Sequence, residues 1–138
     1  MIEKPSELAS FGDFRLTERF KMIVSAIQKE PQSSFPRIFS NKAQLEAFYR
    51  FMNNERVNSS EIIRASCDET KKKLRKSEPV IAIHDTTLFD FKDSTAIEGL
   101  GRTTSKHRKG FFGHFCLAST LDREILGILG LTTWTRLH

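Results

Sequence analysis

The stretch "VIAIHDTTLFDF", Val80 to Phe91, opens on four apolar residues and then sets a His and an Asp side by side. A continuous, largely β-branched run directly after Pro79 predicts a strand buried on both faces. Asp85 falls at the C-terminal end of that expected strand, in phase with Ile81 and Ile83. A carboxylate is costly to bury there unless it caps the next turn or binds a cation. The residues alone leave both open: an Asx-type turn with Thr86 and Thr87, or a ligand for Mg²⁺ or Mn²⁺ in phosphoryl transfer. Asp90 and Asp93 are expected in the loop beyond, and one Asp cannot hold a two-metal site. A zinc set of His84, Asp85, His107 and His114 is the rival. It suffers because neighbours on a strand point to opposite faces and no short ligand spacing recurs.

Before this stretch the periodicity is helical. "GDFRLTERFKMIVSAIQKE" places Phe14, Leu16, Phe20, Ile23, Val24 and Ile27 near one helical face, and Pro31 ends it. "PQSSFP" reads as loop. Asn41 with Gln44, and Asn58 with Glu61, have capping-box spacing and announce two more helices. The last of these ends in Lys71, Lys72, Lys73, Arg75 and Lys76. Cations suit the negative end of a helix dipole, and equally a DNA backbone.

After the stretch the pattern is β. A polar, glycine-bearing segment (92–110) leads to "FGHFCLAST" and "REILGILGLTTW", two strands joined by the turn "LDR" as a hairpin. In "GLGRTTSKHRKG" Gly99-Leu100-Gly101 lacks the third glycine of a nucleotide loop, and no Gly-Lys-Ser/Thr follows. Its Arg102, Lys106, Arg108 and Lys109 read as a flexible basic loop, either near a phosphate backbone or merely solvated. Helices first and strands second make the chain α+β, with domains expected at 1–77 and 78–138.

Composition fits this division. Residues 1–76 hold 15 Lys/Arg against 10 Asp/Glu and residues 77–138 hold 7 against 7, so the whole excess of +5 lies in the helical part. A basic module suggests a polyanion partner, although +5 alone decides nothing. No apolar run approaches the roughly 18 residues of a membrane span, and the N-terminus has no signal-peptide core, so a cytoplasmic protein is expected. Twelve Phe against one Trp and one Tyr make Phe the main core filler. Cys67 and Cys116 form no metal or redox motif and read as reduced thiols.

The ordered set "FGDFRLTER", "NKAQLEAFYRFMNNERVN", "VIAIHDTTLFDF", "GLGR", "KGFFGHFCLAST" and "LGILGLTTWTR" resembles bacterial cut-and-paste transposases. The most similar group is the insertion-sequence-four family, which includes the transposon-five enzyme. The resemblance spans nearly the whole chain. It implies a helical N-terminal domain that binds transposon ends, followed by an RNase H-like catalytic domain. In such a sheet the first strand is flanked on one side by strands two and three and on the other by a parallel fourth.

By the same resemblance Asp85 is the first of three acidic metal ligands, the DDE triad, served by Mg²⁺ or Mn²⁺. The end-binding cations carry over to Arg15, Arg19, Lys42 and Arg50. Leu16 stands where relatives often have a further Arg, which weakens one phosphate contact. The second Asp, the Glu and the downstream Tyr/Arg/Glu/Lys signature do not occur in the 138 residues, which stop at "TTWTRLH". The expectation is a shortened form, its sheet cut after three strands, that keeps DNA binding but not catalysis. The alternative is a non-catalytic DNA-binding or inhibitory partner of a full-length transposase. A strand 80–86 left as an edge is also expected to drive self-association as a homodimer.

Overall fold

The computed structural model describes residues 9–76, 78–92, 97–104 and 107–136. Helices come first and an antiparallel sheet second, in two compact units, Met1–Ser66 and Cys67–His138.

In the first unit Gly12, at φ +70°, turns the chain into the left-handed region, which glycine adopts without steric cost. Asp13 then caps α1 (Phe14–Lys29): its carboxylate accepts from the Arg15 amide at 2.8 Å and lies 3.5 Å from Arg56. The loop expected at "PQSSFP" contains a short helix, α2 (Phe35–Ile38), because Pro36 suits a first helical turn where its missing N–H is no loss. Asn41 caps α3 (Lys42–Met52) through the Ala43 amide, and Asn58 accepts from the Ser60 amide at the start of α4 (Ser59–Lys73). Glu61 is drawn away from a capping box: it accepts from the Ser10 amide and holds Arg64 by two hydrogen bonds.

Phenylalanine fills the core of this unit. Phe11 meets Phe20 and Phe51 edge-on with ring centroids 5.6 Å apart in each pair, while Phe20 and Phe51 stack at 5.9 Å. Phe48 stacks on Phe39 at 4.9 Å. Ala9, Ile23 and Ala65 complete the buried cluster, and Leu16, Val24 and Ile27 pack against it. Phe14, expected on this face, is instead 78% exposed: it is the first residue of α1, a turn and a half short of Phe20.

The second unit is a four-stranded antiparallel sheet of β1 (Ile81–Lys92), β2 (Gly101–Arg102), β3 (Arg108–Ser119) and β4 (Ile125–Trp134). β3 is central, with β1 along one side and both β2 and β4 along the other. β3 and β4 form the expected hairpin. Arg123, at φ 69°, makes its turn, and the Glu124 amide donates to Thr120 Oγ1 at 3.1 Å. Near the start of β4, Gly127 lies so close to the Thr70 side chain of α4 that a Cβ there would collide with it.

β1 departs from expectation in two respects. It runs to Lys92, because Phe89 and Phe91 stack on Phe111 across the ladder and extend the pairing. Asp85 is therefore mid-strand and Asp90 is inside the strand, while Asp93 lies outside the described residues. Secondly, Ile81 to Thr87 are exposed, not buried on both faces, and no strand among the described residues pairs with the outer side of β1.

Phe51 is 3% exposed in the centre of the aromatic cluster, so Phe51→Ala should destabilise the helical unit by about 3–5 kcal/mol, read by urea denaturation. The hydrogen bonds from Arg64, with that from the Ser10 amide, hold Glu61 below its ordinary value of 4.5 against the opposing effect of burial. A depressed carboxylate stabilises above its unfolded pKa and loses that contribution as pH falls through its folded value. Glu61→Gln should thus be less stable than the parent near neutral pH. The gap should close on acidification below about pH 4.5, and a gap independent of pH would refute the linkage.

Candidate nucleic-acid interface

Four of the expected DNA-contacting cations belong to the helical unit. Arg15 is exposed in the first turn of α1, and Arg19 follows one turn later, half-buried at a small hollow with Met22, Ile38 and Phe48. Their i, i+4 spacing puts both on one side of α1. Lys42 is exposed as the first residue of α3, and Arg50 lies in its last turn, about 12 Å further along the axis at 1.5 Å per residue. The Arg50 side chain is 83% exposed, and its 3.8 Å approach to Glu46 is a surface contact that restrains it little. Burial of Phe20 on α1 and of Phe48 and Phe51 on α3 fixes the helices that carry these cations.

Two exposed aromatic side chains lie beside these cations in sequence; periodicity assigned Phe14 to the core face and did not mark Tyr49. Phe14 directly precedes Arg15, and Tyr49, 47% exposed, directly precedes Arg50. The signal that could have found them is the pairing of an aromatic with a cation at the start of α1 and the end of α3. A cation meets phosphate and a neighbouring ring can stack on a base.

The lysine run at the end of α4 is engaged locally. Lys71 lies 3.2 Å from Asp68 and Lys72 lies 2.9 Å from Glu69, while Lys73 Nζ donates to the Leu126 carbonyl at 3.2 Å. These contacts are compatible with both readings of the run, since surface pairs three residues apart are weak.

Three of the four cations of the basic segment, Arg102, Arg108 and Lys109, lie in paired strands. Arg102 and Lys109 are register partners on β2 and β3, both exposed, and Arg108 Nε lies 2.6 Å from Asp90 Oδ2. Thr103 Oγ1 lies 3.1 Å from Asp90 Oδ1 and 3.3 Å from the Arg108 carbonyl, which braces the end of β2 against β1 and β3. Arg102 and Lys109 remain presented to solvent, Arg108 is tied to Asp90, and Lys106 lies outside the described residues.

Asp85 stands opposite Phe115 on one face of the sheet, and Thr87 Oγ1 donates to its Oδ2 at 3.4 Å. His84 faces the other way. There Thr86 Oγ1, His114, His84 and Cys116 form a chain with spacings of 2.8, 3.2 and 3.6 Å. The rival zinc set is thus divided between two faces of the sheet. Among the described residues no group of three or more His, Cys, Asp or Glu side chains is arranged to hold a metal ion. No helix among them is long and apolar enough to cross a membrane.

Residues 2–57 match the family model described as transposase DNA-binding, a span that includes α1, α2 and α3. The chain carries a transposase DNA-binding domain at its N-terminus. The cations of α1 and α3 therefore lie within a domain whose family binds DNA.

Proposed function

We propose that this chain recognises transposon ends as the N-terminal part of a bacterial transposase of the insertion-sequence-four type that its motifs resemble. The observation that carries this reading is the transposase DNA-binding match over residues 2–57 of the helical unit. Arg15, Arg19, Lys42 and Arg50 contact the phosphate backbone, and Phe14 and Tyr49 are placed to stack. Arg102 and Lys109 add a second, weaker contact from the β2–β3 hairpin. The partners in this reading are DNA ends, with a second copy or a full-length transposase alongside.

The sheet is read as the opening of an RNase H-like domain. Its support is the order of the long strands, β1 beside β3 beside β4, all antiparallel, with Asp85 on the first. The cations implied by the resemblance, Mg²⁺ or Mn²⁺, require several converging oxygen ligands. Asp85 is a single carboxylate opposite a phenylalanine, so the residues present do not fit a two-cation site and no step of strand transfer is assigned to them.

Two measurements test this reading. In fluorescence anisotropy with short labelled duplex DNA, log affinity should fall linearly with log salt. Arg15→Ala with Arg19→Ala should weaken binding about tenfold or more and reduce the salt slope by roughly two. Unchanged binding would remove those arginines from the interface. Separately, the purified 138-residue chain should show no Mg²⁺- or Mn²⁺-dependent nicking of supercoiled DNA. Nicking that Asp85→Ala abolishes would overturn the incomplete-site reading.

A further inference from the structure

The small hollow that Arg19 borders lies between α1, α2 and α3, and its walls are apolar: Met22 and Ile23 from α1, Ile38 from α2 and Phe48 from α3. Two polar side chains complete it, Arg19 and Gln44, and no carboxylate among the described residues lines it. Gln44 is the third residue of α3, where a capping box would turn its amide back to the Asn41 N–H. Among the described residues no such bond forms. Asn41 caps the helix through the Ala43 amide, and Gln44 stays exposed with its side-chain donor and acceptor both untaken. Arg19 is likewise without an ion pair or a side-chain hydrogen bond among them.

We propose that Gln44 reads an adenine from the major groove of DNA, and that the hollow beside it receives the methyl group of a thymine. The inference rests on the DNA-end reading of the helical unit and names the residue that gives it sequence preference. A side-chain amide matches the adenine edge with both its groups: the carbonyl accepts from N6–H and the N–H donates to N7. Thymine carries a methyl group in the same groove, and the apolar surface of Met22 and Phe48 suits it. Residues near the N-terminus of a helix laid in the groove are those that reach base edges. Gln44 is in that first turn, two residues after Lys42, whose cation the same reading sets on a phosphate.

The other groups on this surface do not supply such a preference. Phosphates are alike in every sequence, so Arg15, Arg19, Lys42 and Arg50 position the duplex without reading it. Phe14 and Tyr49 can stack on any base, since every base has a π-face. An amide is different, because its donor and acceptor have a fixed order. Phe48, 3% exposed and one turn along α3 from Gln44, anchors the helix that presents this amide.

The test uses the full chain and a duplex DNA library with a randomised centre. Selection with the parent should yield a site with a required A·T pair. 7-Deazaadenine in that pair, which lacks the N7 acceptor, should weaken the parent about tenfold and Gln44→Ala by less than about twofold. The salt slope of Gln44→Ala should equal that of the parent, because no phosphate contact is lost. Replacing the site's thymines by deoxyuridine should weaken both proteins about fourfold, the loss of one buried methyl group. A selected site with no required A·T pair, or one whose A·T pairs are all as sensitive in Gln44→Ala as in the parent, overturns the assignment of Gln44. Full tolerance of deoxyuridine removes the hollow from the contact. Each of these results leaves salt-sensitive binding by the parent intact, whereas loss of that binding would refute the DNA-end reading and this inference with it.

Discussion

The second unit depends on one interaction, the antiparallel ladder between β1 and β3. It holds a single register over twelve residues, from Ile81 opposite Ser119 to Lys92 opposite Arg108. Because side chains alternate, that register sends Asp85 to the face of Ile83 and Phe89, and His84 to the face of Cys116 and His114. A slip by one residue would exchange these positions throughout. The ladder is secured at its Lys92 end, where Phe89 stacks on Phe111 at 4.7 Å and Asp90 pairs with Arg108. At the other end the buried residues are small, Ala118 and Ser119, and they lie on β3. β1 itself is exposed there.

The helical unit is built on a different principle. Its interior is a set of rings in contact, and aromatic pairs add to the burial of their large apolar area. Phe11, ahead of α1, touches Phe20 on α1 and Phe51 on α3, so one side chain ties the entering chain to both helices. A small core of this kind leaves the cations outside. Many of them sit in surface pairs three or four residues apart on the same helix, such as Lys21 with Glu18 and Arg64 with Glu61. Such exposed pairs are weak and salt-screened, so they are compatible with release to a phosphate backbone.

The elements that rest on local chemistry were legible in the sequence. Three long helices, two of them announced by Asn41 and Asn58 as caps, and the hairpin around "LDR" follow from spacing and turn residues alone. What was not legible depends on partners distant in the chain. The length of β1 is decided by Phe111, some twenty residues away, so the strand overran the apparent boundary at Asp85. The pairing of β2 with β3 is likewise braced by Asp90, a residue expected in a loop, through its ion pair with Arg108. Burial failed for a third reason. A continuous apolar run implies cover on both faces, yet that cover must come from other segments, and the run alone does not supply it.

The exposure of β1 also changes the meaning of its aspartate. Burial cannot be the problem that Asp85 solves, because it is exposed, and an Asx turn is not its role, because it lies within a continuous extended ladder. Asp is disfavoured in strands, and Thr87 Oγ1, 3.4 Å away, offsets little of that. What the ladder does fix is the face that Asp85 occupies, beside Ile83 and opposite Phe115, away from His84 and Cys116.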